Sequence, residues 1–87
     1  MTEDSPMDRS EILNLMNTVM TKRGRPTLTD ESQNTREAGF RSLDFSETAL
    51  RIETKIGREL SFDAASMRRI ETVKDVLDFF EDATRAA

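Results

Sequence analysis

One hydroxyl group in this chain is placed to do covalent chemistry. Ser42 sits in the run Gly39-Phe40-Arg41-Ser42-Leu43-Asp44, where a polar stretch gives way to an apolar period. The spacing predicts a helix beginning at or just after this serine. The first backbone N–H groups of a helix are unpaired and its dipole is positive there, so a phosphate on Ser42 would be favoured. Taken alone, a serine at that position is usually just a helix cap. The residue types that are missing narrow the choice. The chain has no His, Cys, Trp or Tyr. Zinc sites built on His and Cys, disulfides, and nucleophilic triads with a His base or a Cys nucleophile are all excluded. If this chain handles reactive acyl groups, it must borrow its thiol.

The elements that would hold Ser42 are helices. Residues 1–4 are polar and read as frayed, as do 84–87. Ser5-Pro6-Met7-Asp8 reads as a helix start, with Ser5 as cap, Pro6 in the first position and Asp8 closing a capping box. Ile12, Met16 and Val19 follow at helical spacing, with Leu13, Leu15 and Met20 beside them. Lys22-Arg23-Gly24 suits the end of that helix, and Pro26 bars continuation. Residues 24–41 are a long polar loop with Leu28 and Phe40 as its large apolar anchors, and Thr29 to Ser32 as a possible single turn of helix. Phe45, Ala49, Ile52 and Ile56 then draw one stripe on a second helix that stops at Gly57. Leu43 and Leu50, seven apart, share a different face. Asp63 caps a short third helix, Ala64 to Arg69. Thr72-Val73-Lys74-Asp75 opens a final helix on a capping box, followed by Val76, Leu77, Phe80 and Ala83. Phe80 should point inward and Phe79 lie at the margin, Met16, Met20 and Met67 should fill core gaps, and Asp78, Glu81 and Asp82 should form a solvated face. No strand pattern competes. The expected fold is all-α: one domain, a small four-helix bundle of three longer helices and one short third helix, with a long first loop.

Charge bounds the partners. The 87 residues carry a net charge of -4, with 34% charged and 36% apolar residues. A mildly acidic domain is a poor general binder of nucleic acid. Lys22-Arg23-Gly24-Arg25-Pro26 does resemble the AT-hook core of minor-groove binders. However, a helix end with cations, a glycine cap and a proline stop accounts for every residue in it. No apolar run approaches the roughly 20 residues of a membrane span, and no signal peptide is evident, so the expected location is the cytoplasm. The carboxylates do not match a calcium loop, and no metal is expected.

From Gly39 to Ala83 the chain resembles the acyl and peptidyl carrier protein family. The carrying residues are Gly39, Ser42-Leu43, the amphipathic helix to Gly57, the short helix from Ala64, and Thr72-Val73 opening the last helix. Helix order and the long first loop extend the likeness over nearly the whole chain after residue 5. The resemblance implies a carrier rather than an enzyme. It implies a phosphoprotein whose Ser42 receives 4′-phosphopantetheine from coenzyme A, through a phosphopantetheinyl transferase and magnesium. The arm's thiol would hold acyl or aminoacyl intermediates as thioesters for an acyltransferase, ketosynthase or adenylating loading enzyme. Fatty acid, polyketide and nonribosomal peptide biosynthesis all use such carriers. The family usually has Asp before the serine, where this chain has Arg41. That departure loses a helix cap and an anionic contact for the transferase, although an Arg there could pair with the phosphate; it either tunes recognition toward a particular transferase or marks a poorly modified carrier. With the mixed charge of the helix it favours polyketide or other natural-product biosynthesis, and the expected protein is a stand-alone, monomeric carrier. A carrier of primary fatty acid synthesis and an unmodified helical interaction module are the alternatives.

Leu43, Asp44, Glu47 and Leu50, together with Arg41, are the expected docking residues. Leu43 adjoins Ser42, and a partner holding the arm passes over that face. In the family, acids on this helix commonly meet basic partners. Here Arg51, Lys55 and Arg58 interrupt the acids Asp44, Glu47 and Glu53, so a mixed-charge surface is expected.

Overall fold

The computed structural model describes residues 7–85. Among them are five helices and no strand: α1 (Arg9–Lys22), α2 (Thr35–Ala38), α3 (Ser42–Ile56), α4 (Ala64–Arg68) and α5 (Val73–Arg85). Three long helices and one short one before the last therefore follow the expected order. α2 is an additional turn of helix inside the first connection.

α1 packs against both α3 and α5. Its inner face buries Ile12, Met16, Val19 and Met20, the residues whose spacing marked it. α3 contributes Phe45, Ala49 and Ile52, and α5 contributes Val73, Val76, Leu77 and Phe80. Each fully buried side chain of this size is worth roughly 1.5–3 kcal/mol. Phe80 is wholly buried and Phe79 lies at the margin, as expected. Phe45 stacks on Phe80 at a ring-centroid distance of 4.9 Å and meets Phe62 edge-on at 5.4 Å. Because Phe45 lies one turn after Ser42, this aromatic contact seats the first turn of α3 on the core.

The termini of the helices follow from local chemistry. α1 starts later than Ser5 suggests. Its cap is Asp8, which accepts from the Glu11 N–H at 3.0 Å, while the Glu11 carboxylate takes the Asp8 N–H. Ser5 and Pro6 lie outside the described residues. α3 ends on Gly57 with φ +76°. Asp63 caps α4 through the Ser66 N–H at 2.8 Å. The box at α5 is reciprocal: Asp75 accepts from the Thr72 N–H, and Thr72 Oγ1 accepts from the Asp75 N–H.

The connection between α1 and α3 is held closely along its length. Leu28 and Phe40 are buried, and Asn17 grips the backbone of Leu28 at both N–H and C=O. The first N–H groups of α5 have no partner inside their own helix. The carbonyls of Gln33 and Glu31 satisfy those of Val73 and Lys74, at 2.9 and 2.8 Å. Thr29 to Ser32 is not helical. Asp30 bonds Ser32 in a turn there, and the helical turn comes later, where Asn34 caps α2 through the Glu37 N–H. The acids of α5 also differ from expectation. Asp78 and Glu81 converge on Arg9, which reaches Glu31 as well, so one guanidinium ties α1, the loop and α5. Three acceptors around it hold the Arg9 guanidinium above its ordinary pKa, with the hydrogen bond to Glu31 as the largest cause. Asp82 remains exposed and pairs only with Arg85.

Candidate functional site

Ser42 is the first residue of α3 and is exposed. Among the described residues its hydroxyl has no hydrogen-bond partner. The chain arrives from α2 through Gly39, whose φ of +92° closes that helix in the left-handed conformation favoured by glycine. Phe40 then plugs into the core, and Arg41 takes the cap position of α3 with extended backbone. The Arg41 side chain makes no capping bond. Asp44, three residues on, makes the other half of a capping box by accepting the Arg41 N–H through Oδ2 at 2.8 Å. Two turns of backbone and one buried ring on either side thus fix Ser42 at the surface.

A cleft of about 190 Å³ opens beside this serine, lined by Thr35, Arg36, Phe40, Arg41, Ser42, Phe45 and Ile70. Phe40, Phe45 and Ile70 are its apolar lining residues, and Arg36 and Arg41 its charged ones. Neither the Arg36 nor the Arg41 guanidinium has an ion-pair or hydrogen-bond partner among the described residues. An anion held on the Ser42 oxygen would lie within a positive setting made by the helix N-terminus and these two side chains. Residue type alone marked Arg41 for this role. Arg36 and Ile70 could not be found that way, because α2 and the end of α4 meet Ser42 only in the fold.

The expected docking residues separate into two groups. Leu43 and Leu50 are 65% and 63% exposed, the only large apolar side chains so exposed among the described residues. Asp44 is not on that surface. It is 1% exposed, and its two oxygens face Arg25 and Arg23, each at 2.7 Å. The Arg25 contact is a hydrogen bond, whereas the Arg23 contact is an ion pair whose N–H points off line. Burial of a carboxylate needs such charge compensation, and the C-terminal end of α1 supplies it. Arg25 also donates to the Gly39 carbonyl, linking this acid to the backbone before Ser42.

Glu47 lies between the two leucines but is only partly exposed. Lys22, Arg23 and Arg51 surround it at 3.0, 2.8 and 3.1 Å. Hydrogen bonds from Lys22 first, then from Arg23 and Arg51, hold its carboxyl down at about 2. The run that resembled an AT-hook is therefore spent inside the protein, because Lys22, Arg23 and Arg25 all serve Asp44 and Glu47. Glu53 is likewise engaged, accepting from the Leu60 N–H at 2.7 Å.

No protein-family model, curated protein or solved structure matches this chain. Among the described residues, no helix is long and apolar enough to cross a membrane.

Proposed function

We propose that this chain is a carrier protein of the acyl and peptidyl carrier kind, with Ser42 as the anchor for 4′-phosphopantetheine. The observation that carries the reading is the exposed, unbonded hydroxyl of Ser42 at the first position of α3. Helix order adds support, since three long helices with a short one before the last make an arrangement like a carrier bundle. The site also fits the group. A hydroxyl open to solvent can reach a transferase, and the charged pair Arg36 and Arg41 suits a phosphodiester. In the loading step the Ser42 oxygen would form a bond to phosphorus and lose its proton, while the nucleotide part of coenzyme A departs. When bound, the arm supplies the thiol that this cysteine-free chain lacks. This chain's own part is to present the hydroxyl, hold the first turn of α3 rigid through Phe45, and offer a face to partners. An arm fixed at one point also keeps its cargo at high effective concentration for a docked enzyme.

Arg41 in place of the family's usual acid removes the side-chain acceptor for the first-turn N–H groups of α3, while Asp44 still holds the Arg41 N–H and fixes the turn before Ser42. This supports a carrier that is modified, with a stand-alone role in natural-product biosynthesis favoured over primary fatty acid synthesis. The exposed Leu43 and Leu50 also suit a second reading, an interaction module without an arm. Intact mass separates the two after incubation with coenzyme A, magnesium and a broad-specificity phosphopantetheinyl transferase. The carrier reading expects one added phosphopantetheine, lost in Ser42→Ala. No gain, or a gain that survives Ser42→Ala, overturns it.

A further inference from the structure

We infer that the Leu43–Leu50 face docks a protein partner whose contact surface is acidic around an apolar socket, resting on the carrier reading for why a partner visits this face. Two features of the molecule meet there. The first is apolar: Leu43 and Leu50 stand on one side of α3, seven residues apart, and nothing in the described chain covers them. The second is electrostatic. Two of the three acids of α3, those nearest Ser42, are neutralised from behind. Asp44 is buried against Arg23 and Arg25, and Glu47 sits inside a ring of Lys22, Arg23 and Arg51. Four cations against two carboxylates leave a formal excess of two positive charges. Arg36 and Arg41, whose guanidinium groups are unpaired, add two more, and Glu37 and Glu71 beside Arg36 remove two, so the excess of two remains.

The whole chain carries -4. The end that holds Ser42 is therefore a positive island on an acidic protein, and the N-terminus of α3 points the same way. The reach of such a patch is about a Debye length, and it favours a partner of opposite sign. The two leucines favour a protein surface over a nucleic acid, because phosphates offer nothing to bury them against. A second copy meeting this face symmetrically would set like charge against like charge. The acids-to-basic-partner pattern implied by the family resemblance is thus reversed here.

The test uses the full chain, labelled with ¹⁵N and without the arm. Two amphipathic helical peptides share the same apolar residues, and their polar face is Glu in one and Lys in the other. The acidic peptide should bind about 10-fold more tightly at low salt, and the gap should close as salt rises. Its shifts should fall on 41–51 and Arg36. Leu43→Ala with Leu50→Ala should weaken it by about 10-fold or more. Both leucines are exposed, so unchanged amide shifts elsewhere will show that the variant is folded. Equal or tighter binding of the basic peptide, shifts on another face, or no binding by either overturns the inference. So does dimerisation through this face, or tighter binding to duplex DNA or anionic vesicles than to the acidic peptide. None of these readouts needs pantetheine, so failure here is distinct from failure of the carrier reading, which the intact mass reports.

Discussion

Asp44 joins the stability of this protein to the presentation of Ser42, and replacing it gives a worked prediction. Asp44→Ala removes the buried partner of two guanidiniums and the acceptor of the Arg41 N–H. Breaking a fully buried pair costs about 3–5 kcal/mol, because the remaining charge is stranded. Here the side chains of Arg23 and Arg25 are 29% and 38% exposed, so both can turn to water and the cost falls below that range. Arg23 also keeps Glu47. About 2 kcal/mol from the charge and about 1 kcal/mol from the cap give a total of roughly 3 kcal/mol. With an m-value of about 1 kcal/mol/M in urea, the midpoint should fall by about 3 M. Asp44→Asn keeps an oxygen for the Arg41 N–H and should recover about 1 kcal/mol of the loss. Far-UV circular dichroism in urea reads both variants, since the chain has no Trp or Tyr for fluorescence. A loss below about 0.5 kcal/mol for Asp44→Ala, the size of an ordinary surface change, would refute the claim that this acid is the keystone of the α3 N-terminus.

The acid limb of the stability profile should follow the paired carboxylates. Glu47, Glu31, Asp75 and Asp78 are all held below their usual range, by cationic partners or, for Asp75, by backbone N–H groups. Between the unfolded and folded values the unfolded chain binds more protons, so their contribution is fully present above about pH 4.5 and is lost toward pH 2. Urea midpoints measured from pH 6 to 2 should show this fall, and Glu47→Gln should make it shallower. Phe80→Ala should cost about 3–5 kcal/mol, while Leu50→Ala should stay within about 0.5 kcal/mol, as thermal melts of the two would show. Gly39→Ala should cost about 1–2 kcal/mol, because φ is +92° and a methyl group would meet Arg25 Cδ at 3.2 Å. A melt unchanged from wild type would contradict that account of the turn before Ser42.

What could be read from the sequence was what depends on neighbours along the chain. The stripe Phe45–Ala49–Ile52, the stop at Gly57 and the Thr72–Asp75 box each involve residues within a turn or two. The isolated Leu43/Leu50 row was visible for the same reason. At α1 two overlapping boxes competed, Ser5 with Asp8 and Asp8 with Glu11, and the helix starts on the second. At α2 the Asn34 to Glu37 spacing is itself a capping signal, which the reading of Thr29 to Ser32 as the helical turn passed over. Charge pairing was the part that stayed hidden. Asp44 reads as a solvated acid in a first helical turn, and its burial depends on Arg23 and Arg25 arriving from the far end of α1. The role of Arg9 is equally long-range, with partners on the loop and on α5.

The central claim is that the hydroxyl at position 42 is the anchor, and one measurement addresses it directly. Trypsin cuts after Arg41 and Arg51, releasing a peptide with three hydroxyls, on Ser42, Ser46 and Thr48. Fragment mass spectra of that peptide, taken from protein treated with coenzyme A and transferase, should place one phosphopantetheine on Ser42. An unmodified peptide, or a modification on Ser46 or Thr48, would contradict the account.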